Sequence, residues 1–82
     1  MDILDACKAS RRNRPKILEG TACGCYFCLR VFDGAAVTEW ADLDEQTALC
    51  PHCGIDSVWP GATDAIVLAA AHEHWFCERP NA

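Results

Sequence analysis

The sequence predicts a small α+β domain folded around a metal ion, and three observations predict it. Two Cys-x-x-Cys pairs, Cys25-Tyr26-Phe27-Cys28 and Cys50-Pro51-His52-Cys53, stand 21 residues apart. Short β-prone runs bounded by turn residues surround both pairs. One long amphipathic segment, from residue 65 to about residue 77, closes the chain with helical spacing.

The cysteine pairs carry the chemistry. Four thiolates delivered by two tight turns can close a tetrahedral shell around one zinc ion. Such a shell has no open position, so it points to one structural Zn²⁺ held by Cys25, Cys28, Cys50 and Cys53. Pro51 pre-sets φ in the second turn, and Gly54 permits the positive φ with which that turn closes. Cys23 also stands at a usable spacing from Cys28, so Cys23 or Cys25 opens the first pair; the tighter turn favours Cys25. Seven cysteines could frame a disulfide scaffold instead, but the count is odd and no export signal precedes them.

The remaining elements follow in order. Residues 2–12 have the spacing of a short helix with Ile3, Leu4, Cys7 and Ala6 in its apolar stripe, Asp2 at its start and Arg11 and Arg12 at its end. Pro15 resists its extension and biases Arg14 toward extended backbone. Residues 21–32 read as strand, metal turn, strand. Asp33-Gly34 marks a turn, and Val37 and Trp40 with Ala36 and Ala41 predict one or two helical turns over 35–43. Residues 46–59 read as a second hairpin, with Thr47-Ala48-Leu49 against Ile55–Trp59. Pro60-Gly61 breaks the chain, Thr63 or Asp64 caps the last helix, and Leu68, Ala71, His72 and Trp75 fall on its buried face, widened by Ile66 and Phe76. The three tryptophans, Trp40, Trp59 and Trp75, are expected to meet in the core. The organisation is therefore a basic helical arm at 1–20, a zinc-ribbon domain with its C-terminal helix at 21–77, and a tail at 78–82.

Composition narrows the function. Half the residues are hydrophobic (51%) and no apolar run reaches the roughly 20 residues that span a bilayer. No signal peptide opens the chain, so a cytoplasmic protein is expected. The net charge of −5 is unevenly spread: five basic and three acidic side chains in residues 1–20, two basic and nine acidic in residues 21–82. Nucleic-acid modules present a basic face, and the metal-bearing part lacks one. Contact with nucleic acid would fall to Arg11, Arg12, Arg14 and Lys16, continued by Arg30. His72, His74 and Cys77 cannot converge on a second metal, since residues 72 and 74 point about 200° apart on a helix of 3.6 residues per turn. No nucleophile–base pair, phosphate loop or open metal position marks an enzyme.

Several runs together resemble a set of small, uncharacterised bacterial zinc-ribbon proteins usually labelled only "cytoplasmic protein". They are Ser10-Arg11-Arg12-Asn13-Arg14 with Ile17-Leu18, Cys23-Gly24-Cys25-Tyr26-Phe27-Cys28-Leu29, and Glu39-Trp40. The longest is Gln46-Thr47-Ala48-Leu49-Cys50-Pro51-His52-Cys53-Gly54-Ile55-Asp56-Ser57-Val58, and His72-Glu73-His74-Trp75-Phe76 closes the match. The similarity spans about residues 10–76. It departs at 60–66, where the set tends to carry a Gly-Tyr-Pro-like stretch and this chain has Gly61-Ala62-Thr63-Asp64. The resemblance implies a zinc-ribbon fold and no established activity. Cys50-Pro51-His52-Cys53 is also similar to the redox tetrad of thioredoxin-fold oxidants, which opens a helix in a βαβ setting. Here Gly54 and a strand-like run follow, so redox catalysis is not expected. The expectation is a non-enzymatic module that binds a protein partner, with a homodimer through the last helix as one form. A nucleic-acid accessory ribbon is the alternative. The polar pair Asp56-Ser57 after the second metal turn either caps backbone locally or presents a recognition edge.

Overall fold

A computed structural model of the chain describes residues 2–76. Its elements are α1 (Asp5–Ala9), α2 (Arg14–Leu18), β1 (Ala22–Cys25), β2 (Val31–Asp33), a 3₁₀ turn (Gly34–Ala36), β3 (Trp40–Ala41), β4 (Thr47–Ala48), β5 (Val58–Pro60) and α3 (Ala65–Phe76). The expected end of α3 at Cys77, and the tail at 78–82, lie outside the described residues. An antiparallel sheet runs in the order β2-β1-β5, and β3 pairs with β4 in a separate two-stranded ribbon.

Alternation along β1 sorts the molecule into two cores. Cys23 and Cys25 face one side of the sheet, together with Phe32 of β2 and Val58 of β5; Ile17, Val37, Ala48 and Cys50 complete this metal-side cluster. Gly24, Tyr26 and Trp59 face the other side, where Leu68 and Ala71 of α3, Ala62 and Ala6 of α1 pack. Gly24 admits this contact: a Cβ there would overlap the Ala62 carbonyl oxygen and lie 2.7 and 2.9 Å from the Leu68 methyl carbons.

Five expectations are corrected. The N-terminal helix is two short helices, because α1 ends at Ala9 and Pro15 sits in the first turn of α2, where its missing N–H costs nothing. Arg14 is therefore helical. The segment 46–59 is not a self-contained hairpin: β4 pairs with β3, Trp40 opposite Ala48, and β5 crosses to β1, Val58 opposite Cys25. Trp40 lies in a strand, and the predicted helical turns shrink to the 3₁₀ turn, which Asp33 caps through the Ala35 N–H. The tryptophans do not meet: Trp59 is buried on the helix side, Trp40 packs on the metal side, and Trp75 is 38% exposed with its Nε1 donating to the Ile3 carbonyl. On α3, Ile66 faces solvent rather than the core.

Asn13 joins the pieces. It is buried, and its Nδ2 donates to the Ala9 carbonyl (3.2 Å) and to the Val58 carbonyl of β5 (2.9 Å). Its Oδ1 accepts from the Ala48 N–H of β4 (3.0 Å), so one amide satisfies both strand systems. Asn13→Leu strands the Ala48 donor and the Val58 acceptor inside the core, and is expected to cost about 2–4 kcal/mol. Urea unfolding of both proteins at the same metal concentration measures it; a loss below about 1 kcal/mol would show that water reaches these groups.

Candidate metal centre

Each cysteine pair sits on a turn built to one pattern. In the first, the Cys25 N–H donates to the Arg30 carbonyl (2.9 Å) and the Leu29 N–H to the Cys25 carbonyl (2.8 Å); in the second, Cys50 N–H donates to Ile55 (3.0 Å) and Gly54 N–H to Cys50 (2.9 Å). The closing residue has positive φ in both, +77° at Gly54 and +67° at Leu29. Gly54 is there because no Cβ opposes that conformation. Leu29 adopts it at a steric cost, held by the same turn.

The two turns bring together Cys25, Cys28, Cys50 and Cys53, whose sulfurs all lie within 4.8 Å of one another. Cys25 Sγ is 3.6 Å from Cys53 Sγ, and Cys28 Sγ 3.7 Å from Cys50 Sγ. A tetrahedral shell with metal–sulfur bonds near 2.3 Å has edges of about 3.8 Å. The set therefore fits a single metal ion, and all six cysteines among the described residues are free thiols. Cys23 stays out of the group: it is buried two positions earlier on β1, its Sγ donates to the Thr21 carbonyl (3.2 Å), and burial pushes its thiol up to about 11.

The sulfurs sit in unequal surroundings. Cys25 and Cys50 are buried, Cys28 and Cys53 half-buried. Burial pushes the Cys25 thiol up, but hydrogen bonds from the Ser57 hydroxyl, the Cys28 and Phe27 amides and Cys53 outweigh it, and its proton is held more weakly than usual. Burial raises Cys28 and Cys53 against one amide each, from Arg30 and Ile55. The Cys50 sulfur accepts from the His52 N–H at 3.3 Å.

The first turn also anchors α3. His72 Nδ1 donates to the Tyr26 carbonyl at 3.0 Å, and the Phe27 ring meets Phe76 edge-on at 5.0 Å between centroids. Tyr26 reaches the other way, donating its hydroxyl to Ser10 Oγ (2.9 Å), which donates to the Cys7 carbonyl. His72 is thus a packed residue and His74 an exposed one, stacked edge-on against Trp75. Cys77 lies outside the described residues. An open groove of about 760 Å³ runs along α3 beside the first turn, lined by Phe27, Leu29, His72, Glu73, Trp75 and Phe76 among others.

The basic residues are divided. Arg12 forms an ion pair with Asp44 (2.7 Å), which holds the Asp44 carboxyl below the usual carboxylate range. Arg14 donates to the Glu45 carbonyl (2.8 Å) and lies 4.6 Å from the centre of the Trp40 ring. Arg11 Nη2 reaches Cys7 Sγ (3.3 Å), Lys16 is exposed, and Arg30 stands beside His52 on the metal turns. Cation–π packing and the Asp44 pair were not readable from the string, because both depend on the 42–45 loop folding back onto residues 12–14. No helix among the described residues is long and apolar enough to cross a membrane.

The chain matches no protein-family model, no curated protein and no solved structure in the comparisons made.

Proposed function

We propose that the four cysteines hold one structural zinc ion, and that the chain is a non-enzymatic, protein-binding zinc-ribbon module of the bacterial cytoplasm. The observation that carries this reading is the sulfur geometry: the four thiolates by themselves complete a tetrahedral shell, leaving no position for a substrate. A soft four-thiolate site suits zinc or iron. Metal analysis of protein purified from cells is expected to return one zinc per chain; a reddish protein with one iron would overturn the assignment.

The groove on α3 supports a protein partner. Its walls are mainly apolar and aromatic with His72 and Glu73 among them, it reaches the exposed Leu29 beside the first cysteine turn, and the acidic balance of residues 21–82 suits an apolar segment flanked by basic residues. The nucleic-acid alternative loses support because Arg12 and Arg14 are turned onto the acidic loop. Leu29→Asp adds a charge to the groove's edge without touching a sulfur. It is expected to keep the metal and the circular-dichroism spectrum while abolishing saturable binding of the partner that wild type captures. Unchanged binding, or wild-type retention only on nucleic acid with a steep salt dependence, would sink the protein-binding reading.

A further inference from the structure

Position seven after the first cysteine of each turn reaches across to the other turn. After Cys25 this position is Phe32, whose ring packs against His52 at 5.7 Å between centroids. After Cys50 it is Ser57, whose Oγ lies 3.0 Å from Cys25 Sγ. Backbone amides serve both turns, each cysteine receiving at least one and Cys25 two. The Ser57 hydroxyl adds a side-chain contact to Cys25.

Ser57 is 1% exposed, and a hydroxyl so placed must find its partner within the protein. The Cys25 sulfur is the partner the structure provides for it. A metal-bound thiolate can only accept, so the hydrogen bond then runs O–H to S. Its backbone carbonyl is engaged separately, accepting from the Tyr26 N–H at 3.1 Å. That bond, and the pairing of Val58 with Cys25, set the main chain at this point without help from the hydroxyl.

We infer that Ser57 is a positioning residue for the metal centre, its hydroxyl orienting the Cys25 thiolate and drawing charge from it so that the four-sulfur site retains its metal. This inference rests on reading the cysteines as a metal site. Groups that orient a metal's own ligands commonly change affinity by about 10–100-fold when removed. It also gives the buried Ser57 a task that neither a local backbone cap nor a recognition edge would supply, since the side chain is closed off from solvent.

Cobalt(II) is the probe, because its thiolate charge-transfer band reports electron density on sulfur. Ser57→Ala is expected to bind cobalt and zinc about 10–100-fold more weakly in chelator competition, with the charge-transfer band moved to longer wavelength. Ser57→Thr, which keeps the hydroxyl, is expected to restore both. Wild-type affinity and an unmoved band in Ser57→Ala would overturn the inference. If Ser57→Ala fails to fold, Ser57→Thr decides: it must fold and show the wild-type band, and a shifted band or lost affinity refutes the role. Wild-type protein that takes up no cobalt would instead refute the metal site itself.

Discussion

A chelator that strips the four-cysteine site is expected to unfold the whole chain. Besides the cysteines, the core on their side of the sheet holds only a handful of residues, chiefly Ile17, Phe32, Val37, Ala48 and Val58. Without the cation, four sulfurs within 4.8 Å of one another can be neither jointly ionised nor filled by apolar packing. Structural zinc in comparable small sites binds with about 10–16 kcal/mol, which is as large as the whole stability of an ordinary domain, about 5–15 kcal/mol. Because Val58 pairs directly with Cys25, losing the turns also frees β5, and with it the strand that carries Trp59 to the helix-side core. Far-UV circular dichroism and the native tryptophan fluorescence should both collapse, and one equivalent of zinc should restore them. Acid acts in the same direction, since each thiolate releases the metal as it takes a proton. A native spectrum in demonstrably metal-free protein would contradict this.

Gly24→Ala is expected to detach α3 from the sheet. The added methyl would collide with the Ala62 carbonyl oxygen and with both Leu68 methyl groups, and only the latter belong to a side chain that can move. The backbone oxygen must shift with the Pro60–Asp64 connection, so the cost should exceed the about 1–3 kcal/mol of ordinary overpacking. Leu68→Ala alone removes a fully buried side chain and should cost about 2–5 kcal/mol. The double variant should lose less than the sum, because Leu68→Ala vacates part of the space the new methyl needs. Strict additivity, or a Gly24→Ala loss under about 1 kcal/mol, would mean that α3 does not press on β1 as described.

The clustering of the four cysteines was readable in the string because its information is local. Two residues between cysteines define a turn, and Gly54 marks where that turn closes. The helix of residues 65–76 was readable from its start signal, Pro60-Gly61 followed by Asp64, and from the Ala-rich run behind it. The expected amphipathic stripe is weak, since the run is apolar nearly all round and only Leu68 and Ala71 are buried. The strand partners were not. Thr47-Ala48 and Val58-Trp59 are both β-prone and near in sequence, which suggests a hairpin. They instead join different sheets, β4 beside β3 and β5 beside β1, partners that lie far outside the 46–59 segment's own local pattern. The tryptophans misled in the same way: Trp40 and Trp59 are alike in composition, yet the sheet separates them.

By itself the sequence determined that this chain carries two paired-cysteine turns, a helix after them and an acidic body with a basic beginning. Those properties reside in spacing, periodicity and charge, which survive without any knowledge of contacts. Only the tertiary structure decided that Asn13 ties β4 to β5, that Gly24 lets α3 approach, and that the Ser57 hydroxyl meets the Cys25 sulfur. Each of these depends on residues 32 to 45 positions apart meeting at hydrogen-bond or van der Waals distance. No residue type announces such a meeting; it exists because the sheets and the packed helix draw distant segments to one place.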